Sequence, residues 1–580
     1  MNQRIALLAL LAFAHALKTV TAPPEDLSVR LEREIPRLMR AGDIPGMSIA
    51  VVRDGKLYWS GAFGVRDVAT GAPVRKDTIF SAASLSKPVV AYIALRLADR
   101  GVLDLDTPLS TYLPYDRLSE EKRAGLITAR RVLSHSTGLP NWGPDKLSLA
   151  FAPGESFSYS GEGFVYLQKV IEKLTGTPLQ DLARREVFEP LGMRRTSFVW
   201  EDAFSLGGGT VVGVDDIGKP QTIGTDKVAN AASSLLTTAE DYARFVIAVL
   251  IDGRGLRKPT AEAMLSPQIQ VPGQLFDPHS PPGEGEVAWG LGCGLERSRA
   301  TEPFWFWHWG DNGGFRDWMT GSRERRSAVV YFTNSAEGLS IAEAVSSLAV
   351  GAAQPGFGRL EEYERYDLPR RVARREIERT FAKEGGEAGL RRFRELQARS
   401  PEVADVRLGV DLAGFLGKTG KSAEAYAVVK LCAEAHPGSF EAQAKLGEAA
   451  LDAGDYEAAL ASFGKAAALR PGDSDLQRNL RWTRDAIEAR KSLVALPAAA
   501  LRRFAGDYGP RHIRLEGGDL YYQREGRPSF RLLPVAADTF LLDGMGSFRL
   551  RFVTGGDGQV VKLVGLYADG STDESPRGSG

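Results

Sequence analysis

Ser84-Leu85-Ser86-Lys87 runs directly into Pro88-Val89-Val90-Ala91-Tyr92-Ile93-Ala94-Leu95-Arg96-Leu97. Proline is tolerated in the first turn of a helix, and Val90, Ile93, Ala94 and Leu97 recur on one face. An amphipathic helix is therefore predicted over Val89 to Leu97, closed by Gly101. Ser84 stands at its mouth, with Lys87 one turn along. Residues at i and i+3 share a helix face, which brings an amine within reach of an alcohol. A free serine hydroxyl is a poor nucleophile. A lysine made partly neutral by burial and by the positive helix end accepts the serine proton and activates it. The same residues also read as a helix-capping serine beside an exposed lysine, and the tetrad alone does not decide between the two. Residue frequencies place roughly two Ser-x-x-Lys tetrads by chance in a chain this long. The others, Ser119 to Lys122 in a charged stretch and Ser462 to Lys465 inside a later helix, read as solvated surface.

Around this helix, from Asp26 to about Gln354, short apolar strands such as Met47 to Val52 and Ala328 to Phe332 alternate with helical patterns. Strands gather at both ends of the segment and helices lie between them. The expected fold is α/β (α+β): one antiparallel sheet completed by N- and C-terminal strands and covered by helices.

The whole chain has 580 residues, too many for one core, and several domains are expected. Lys+Arg 73 balances Asp+Glu 73, so no bulk charge attracts nucleic acid or anionic lipid. Nucleic acid is not an expected partner. Met1-Asn2-Gln3-Arg4, the apolar run Ile5 to Ala14, and Ala14-His15-Ala16 form the pattern of a secretory signal; residues 1–22 are assigned as signal peptide and leader, and the chain as exported, periplasmic or extracellular. No later stretch approaches the ~20 apolar residues of a membrane span. Cys293 and Cys432 fall in different expected domains and lack the neighbours of a metal site.

Residues 356–400 read as a charged helical linker after a domain at 23–355. His436-Pro437-Gly438 and Arg470-Pro471-Gly472 then stand 34 positions apart, with Leu446-Gly447, Tyr456, Ala459, Phe463 and Ala466 between them. That period and pattern match a tetratricopeptide array, so residues 401–490 are expected to be tetratricopeptide-like helical repeats, all-α, offering a surface to a protein partner. An ordinary helical hairpin is the other reading. Residues 498–570 alternate in strands such as Ile513 to Leu515, Leu520 to Gln523 and Phe548 to Val553, a small all-β meander or barrel. The polar end, 571–580, is expected to be disordered.

The segments Ile127 to Pro140 (Ile-Thr-Ala-Arg-Arg-Val-Leu-Ser-His-Ser-Thr-Gly-Leu-Pro) and Phe151 to Ser160 (Phe-Ala-Pro-Gly-Glu-Ser-Phe-Ser-Tyr-Ser) follow the tetrad. Glu189-Pro190-Leu191-Gly192-Met193, Ala231 to Asp241 and His308-Trp309-Gly310 come next, in that order. Together they resemble the serine β-lactamase-like hydrolases, the family of penicillin-binding proteins, class C β-lactamases, D-alanyl peptidases and related esterases. The resemblance covers roughly residues 26 to 350. Phe504-Ala505-Gly506-Asp507-Tyr508-Gly509 and Asp538-Thr539-Phe540 resemble the small β domain often appended to such hydrolases.

The resemblance implies Ser84 as acylated nucleophile, Lys87 as its proton partner and Tyr159 as the phenol or phenolate that carries protons to the leaving group. It implies an oxyanion hole from the backbone N–H groups of Ser84 and Asp311, and substrate contacts at Gly161, His308 and Gly310. Relatives often carry Tyr-x-Asn, and here the Asn is replaced by Gly161, which removes an amide able to bind a substrate amide. The third family motif is commonly Lys-Thr-Gly; the literal Lys418-Thr419-Gly420 falls in the repeat region and is read as a decoy. In its place His308 is expected to supply a titratable donor, or else to be a structural histidine among Trp305, Trp307 and Trp309. The implied activity is hydrolysis of a small ester, amide or peptide through a Ser84 acyl-enzyme, with an esterase favoured by Gly161. A D-amino-acid peptidase or carboxypeptidase, or a weak β-lactamase, is the near alternative. A binding or sensory protein acting through the repeats is the distant one. No cofactor and no metal are implied.

Overall fold

Met47 to Val52 is apolar on both faces, and the structure buries it in the middle of a sheet as part of β1 (Gly46–Arg53). The structure, a computed structural model, describes residues 26–275, 286–299, 301–352, 358, 360, 363–525 and 528–578. The expected secretory leader lies outside them. Among the described residues no helix is long and apolar enough to cross a membrane. The chain divides into two units, Met1–Tyr366 and Asp367–Gly580.

In the first unit β1 pairs on one side with β2 (Lys56–Asp67), which pairs with β3 (Ala72–Pro73). A separate short strand, β4 (Phe80–Ala83), pairs with β5 (Leu235–Thr237). The large sheet continues with β6 (Ile269–Gln270), β7 (Glu286–Trp289), β8 (Gly294–Arg297), β9 (Trp305–Asp311), β10 (Arg316–Ser322) and β11 (Ser327–Thr333). Its order is β3-β2-β1-β11-β10-β9-β8-β7-β6, with every pairing antiparallel. Met47 faces Thr333 and Val52 faces Ala328, so the first and the last long strands meet at the centre. This is the expected antiparallel sheet closed by the two ends of the segment.

Strand alternation sends side chains to opposite faces. Trp307, Trp318 and Tyr331 pack with Leu31 and Ile35 of α1 (Leu27–Gly42), and with Val345. Phe306, Met319 and Val330 pack on the other face with α2 (Ser86–Asp99) and α3 (Gly161–Thr175). The expectation of an amphipathic α2 is corrected here. Ser86 through Leu95 and Leu97 are all buried, because other helices and the sheet surround it. A helix apolar all round belongs inside a large domain.

In the second unit the residues read as a linker form two helices, Pro369–Lys383 and Gly386–Arg399. Their Ile377, Phe381 and Phe393 share a core with Leu408, Leu412 and Leu416 of helix Val406–Lys418. They are therefore the start of a helical array, not a solvated connector. Ser422–Ala435, Phe440–Asp452, Tyr456–Leu469 and Ser474–Lys491 continue it. Ser462 is buried beside Phe463, contrary to its reading as surface, whereas Ser119 is exposed. Lys418 ends its helix and Gly420 turns the chain at φ +78°, so Lys418-Thr419-Gly420 is a helix-helix turn. Eight strands follow as an antiparallel meander from Gly506–Tyr508 to Thr572–Pro576. The last of these corrects the expected disordered tail: Thr572 to Pro576 pairs with Lys562 to Leu566. Cys293 and Cys432 are both buried free thiols.

Candidate active site

β4 enters fully buried and turns sharply into α2. Ala83 makes the turn with φ +45°, a left-handed conformation that costs a non-glycine residue roughly 1–2 kcal/mol. Surrounding bonds hold it there. Ser86 Oγ donates to Ala83 O at 2.6 Å and accepts from Leu235 N–H at 3.0 Å, while Tyr242 OH donates to Leu85 O at 2.9 Å. Ser84, at the tip, is partly exposed between buried neighbours.

Lys87 is buried. Its Nζ lies 2.9 Å from Ser84 Oγ and 2.9 Å from Ala232 O, above the rings of Tyr159 at 4.8 Å and Phe164 at 5.7 Å. Loss of hydration disfavours the ammonium and lowers the lysine pKa to about 7. Burial, only partly offset by the nearby Ser84 hydroxyl, holds the Tyr159 phenol well above its usual value. Of the two protonation states expected for Tyr159, the neutral phenol is the one this environment favours. Alcohol, amine and phenol, carried by a turn, a helix and a distant loop, thus meet at one point.

His135 fixes Tyr159 from both sides. Its carbonyl accepts from Ser158 N–H at 2.7 Å and its Nδ1 accepts from Ser160 N–H at 3.0 Å. Its ring lies 4.3 Å from that of Tyr159. The residue itself takes φ +53°, and burial holds its imidazole well below the ordinary value. Ser160 caps α3 by accepting from Gly163 N–H at 3.0 Å.

β9 forms the opposite wall. A Cβ at Gly310 would lie 2.7 Å from Ala82 O and 3.3 Å from Ala83 Cβ, so only glycine lets the backbone of Gly310-Asp311 approach the Ser84 turn this closely. The Asp311 carboxylate is engaged elsewhere: it accepts from Gly313 N–H at 2.8 Å, Arg316 Nε at 3.0 Å and Tyr363 OH at 2.6 Å. His308 does not supply the expected titratable donor. It is fully buried, its Nδ1–H donates to Trp309 O at 2.7 Å, and burial followed by the charge of Lys87 lowers its pKa to about 3. It remains a neutral imidazole whose Nε2 is an acceptor. Its ring stacks on Trp309 at 5.3 Å, as in the alternative reading of an aromatic cluster.

Gly161 begins α3 and donates to Asn141 Oδ1 at 2.9 Å. A cavity of about 410 Å³ lies beside the site. Its walls include Ser233, next to the Lys87 acceptor, and Asn312, next to Asp311, together with Phe198, Trp200 and Ile223. Sequence reasoning missed Ala232, which acts through its carbonyl and leaves no residue-type signal. It gave no role to His135, although the histidine stands inside the quoted Ile127 to Pro140 segment.

The family model described as Beta-lactamase matches residues 31–352. Esterase EstB of Burkholderia gladioli is 33% identical over 205 residues, covering 30% of this chain and 52% of that protein, so the chain spans about half the length of this relative. Penicillin-binding protein 4 of Amycolatopsis lactamdurans is 29% identical over 263 residues, covering 40% of this chain and 67% of that protein. Among solved structures, the octameric penicillin-binding protein homologue from Pyrococcus abyssi aligns over 93% of this chain and 98% of its own at 17% identity and a TM-score of 0.46. A class C β-lactamase aligns over 56% of this chain and 97% of its own at 19% identity and a TM-score of 0.47.

Proposed function

Because the chain belongs to the Beta-lactamase family through residues 31–352, we propose that it hydrolyses a carboxylic ester through an acyl-enzyme on Ser84. The single observation that carries this reading is the buried Lys87 amine 2.9 Å from a partly exposed Ser84 hydroxyl, with its pKa lowered to about 7. At neutral pH a large fraction of that amine is free to accept a proton.

The Ser84 proton passes to Lys87 Nζ as Oγ attacks the ester carbonyl carbon. The carbonyl oxygen becomes an oxyanion, received by the backbone N–H groups of Ser84 and Asp311. Collapse of this intermediate breaks the bond to the alcohol, and the neutral Tyr159 phenol donates its proton to the departing alkoxide, recovering one from Lys87. Water then attacks the acyl-enzyme, gives its proton back through the same groups, and releases the acid with Ser84 restored. His135 keeps Tyr159 in place throughout. Retention of the whole Ser84, Lys87 and Tyr159 cluster disfavours a purely binding role.

Esters are preferred over amides because Gly161 offers no side-chain amide to a substrate. A D-alanyl peptide and a chromogenic cephalosporin belong in the same assay panel, because one relative is named a penicillin-binding protein. The decisive experiment is intact-mass analysis after treatment with a fluorophosphonate. One adduct per chain is expected on the parent and none on Ser84→Ala; equal labelling of both rejects the proposal. Export, expected from the leader pattern, is tested by N-terminal sequencing of secreted protein.

A further inference from the structure

The loop Asn141 to Pro144 carries an indole that the mechanism above does not use. Gly161 stands three residues before Phe164, whose ring is 5.7 Å from Lys87 Nζ. Positions i and i+3 share a helix face, so a side chain at 161 would grow from the face turned toward the lysine. That space is filled: a Cβ at 161 would lie 2.8 Å from Trp142 Cη2, 2.9 Å from its Cζ2 and 3.0 Å from Asn141 O. The indole stands where a side-chain amide would otherwise project.

Trp142 is 53% exposed, yet the backbone on both sides of it is pinned to the first turn of α3. Asn141 O accepts from Gly161 N–H and Glu162 N–H, each at 3.1 Å, and Gly143 N–H donates to Glu162 Oε1 at 3.1 Å. Arg117 Nη2 donates to Gly143 O at 2.9 Å, Pro144 O at 2.7 Å and Glu162 Oε1 at 2.9 Å. Leaving half an indole in water forgoes hydrophobic stabilisation. Holding it on an anchored loop means that little conformational freedom is lost when something packs on it.

The geometry points to Trp142 as a specificity-determining wall of the substrate site, its free face packing against an apolar alkyl or aryl group of the ester in place of polar amide recognition. This rests on the hydrolase reading and narrows it to esters that carry a chain of several carbons or a ring. Each methylene laid on the indole improves kcat/KM by up to about fourfold.

The test uses the full chain with p-nitrophenyl acetate, butyrate, octanoate and phenylacetate, and fluorophosphonate labelling in parallel. In Trp142→Ala and Trp142→Gln the ratio of kcat/KM for octanoate over acetate is expected to fall on the order of tenfold, mainly through KM for octanoate. Trp142→Phe, which keeps a flat apolar face, is expected to recover most of it. Trp142→Ala combined with Gly161→Asn exchanges the indole for an amide and is expected to shift preference from the octanoate ester toward an N-acyl anilide. A parent that takes no label at Ser84 sinks the hydrolase reading itself. Variants that label normally and keep the parent's chain-length ratio overturn the role of Trp142 alone. If Trp142→Ala fails to fold, an unchanged ratio in Trp142→Gln is sufficient to overturn it.

Discussion

Protonating Lys87 requires a charge where burial excludes water, and its hydrogen-bond acceptors among the described residues are the Ser84 hydroxyl and the Ala232 carbonyl. With its pKa at about 7, the amine loses its proton as pH rises through neutrality, which is the form the proposed mechanism uses as base. Ester hydrolysis is therefore expected to climb about tenfold per pH unit below 7 and level off above it, read from kcat/KM between pH 5 and 9. A profile flat across that range would count against Lys87 as the base. Lys87→Arg keeps the charge but is protonated at every such pH, and is expected to lower kcat by roughly 10³ or more. Stability has its own sign. Between about 7 and the ordinary lysine value of 10.5 the unfolded chain holds a proton that the folded chain does not. This group therefore contributes a loss of stability that grows as pH falls through that window and is constant below it. Ser84 and Lys87 were legible because their spacing is local. Ala232 was not, since a carbonyl has no residue-type code, and Trp142 was not, since its contact with Gly161 exists only after folding. The donor role expected of His308 failed because the sequence names an imidazole without its burial or its tautomer.

Between elements, the decisive contact is that of β9 with the turn joining β4 to α2. The neighbour that a Cβ at Gly310 would strike is the Ala82 backbone carbonyl, at 2.7 Å, and no rotamer change can move it aside. Gly310→Ala is therefore expected to push β9 away from Ser84 and displace the Asp311 amide. Loss of about 1 Å of registry at a reacting centre costs on the order of 10² in kcat, with roughly 1–3 kcal/mol of overpacking. Steady-state kinetics and thermal denaturation separate the two. A variant that keeps kcat while losing stability would remove β9 from the oxyanion role. The sequence marked this strand through its aromatic run and its His308-Trp309-Gly310 motif, and the central pairing of β1 with β11 followed from two apolar strands at opposite ends of the segment. It misjudged α2 because a periodic subset, Val90, Ile93, Ala94 and Leu97, was read as a face. The residues between them, Val89, Ala91, Tyr92 and Leu95, are equally apolar and equally buried.

At the scale of the whole chain, charge misled where hydrophobic sparsity was mistaken for absence of a core. Residues 367–400 are rich in arginine, yet Ile377, Phe381 and Phe393 suffice to fix two helices in the second unit. Five residues of a polar tail become a strand because Lys562 to Leu566 offer an edge to pair with. Each unit carries apolar cores of its own, centred on Phe306 and Val330 in the first and on Phe381, Phe463 and Phe552 in the second. A chain with several cores is not bound to unfold in one step. Scanning calorimetry is therefore expected to resolve more than one transition, and a fluorophosphonate adduct on Ser84 gives a way to assign them. The adduct is covalent and stays on Ser84 after unfolding, so it changes stability only through the contacts it makes in the folded first unit. It is expected to move one midpoint, by roughly 1–2 °C for each kcal/mol of changed stability in a unit of this size, and to leave the others in place. Ser84→Ala treated with the same reagent is expected to show no shift. A single transition that moves as a whole would mean that the helical and β segments unfold together with the hydrolase unit, and would overturn this separation.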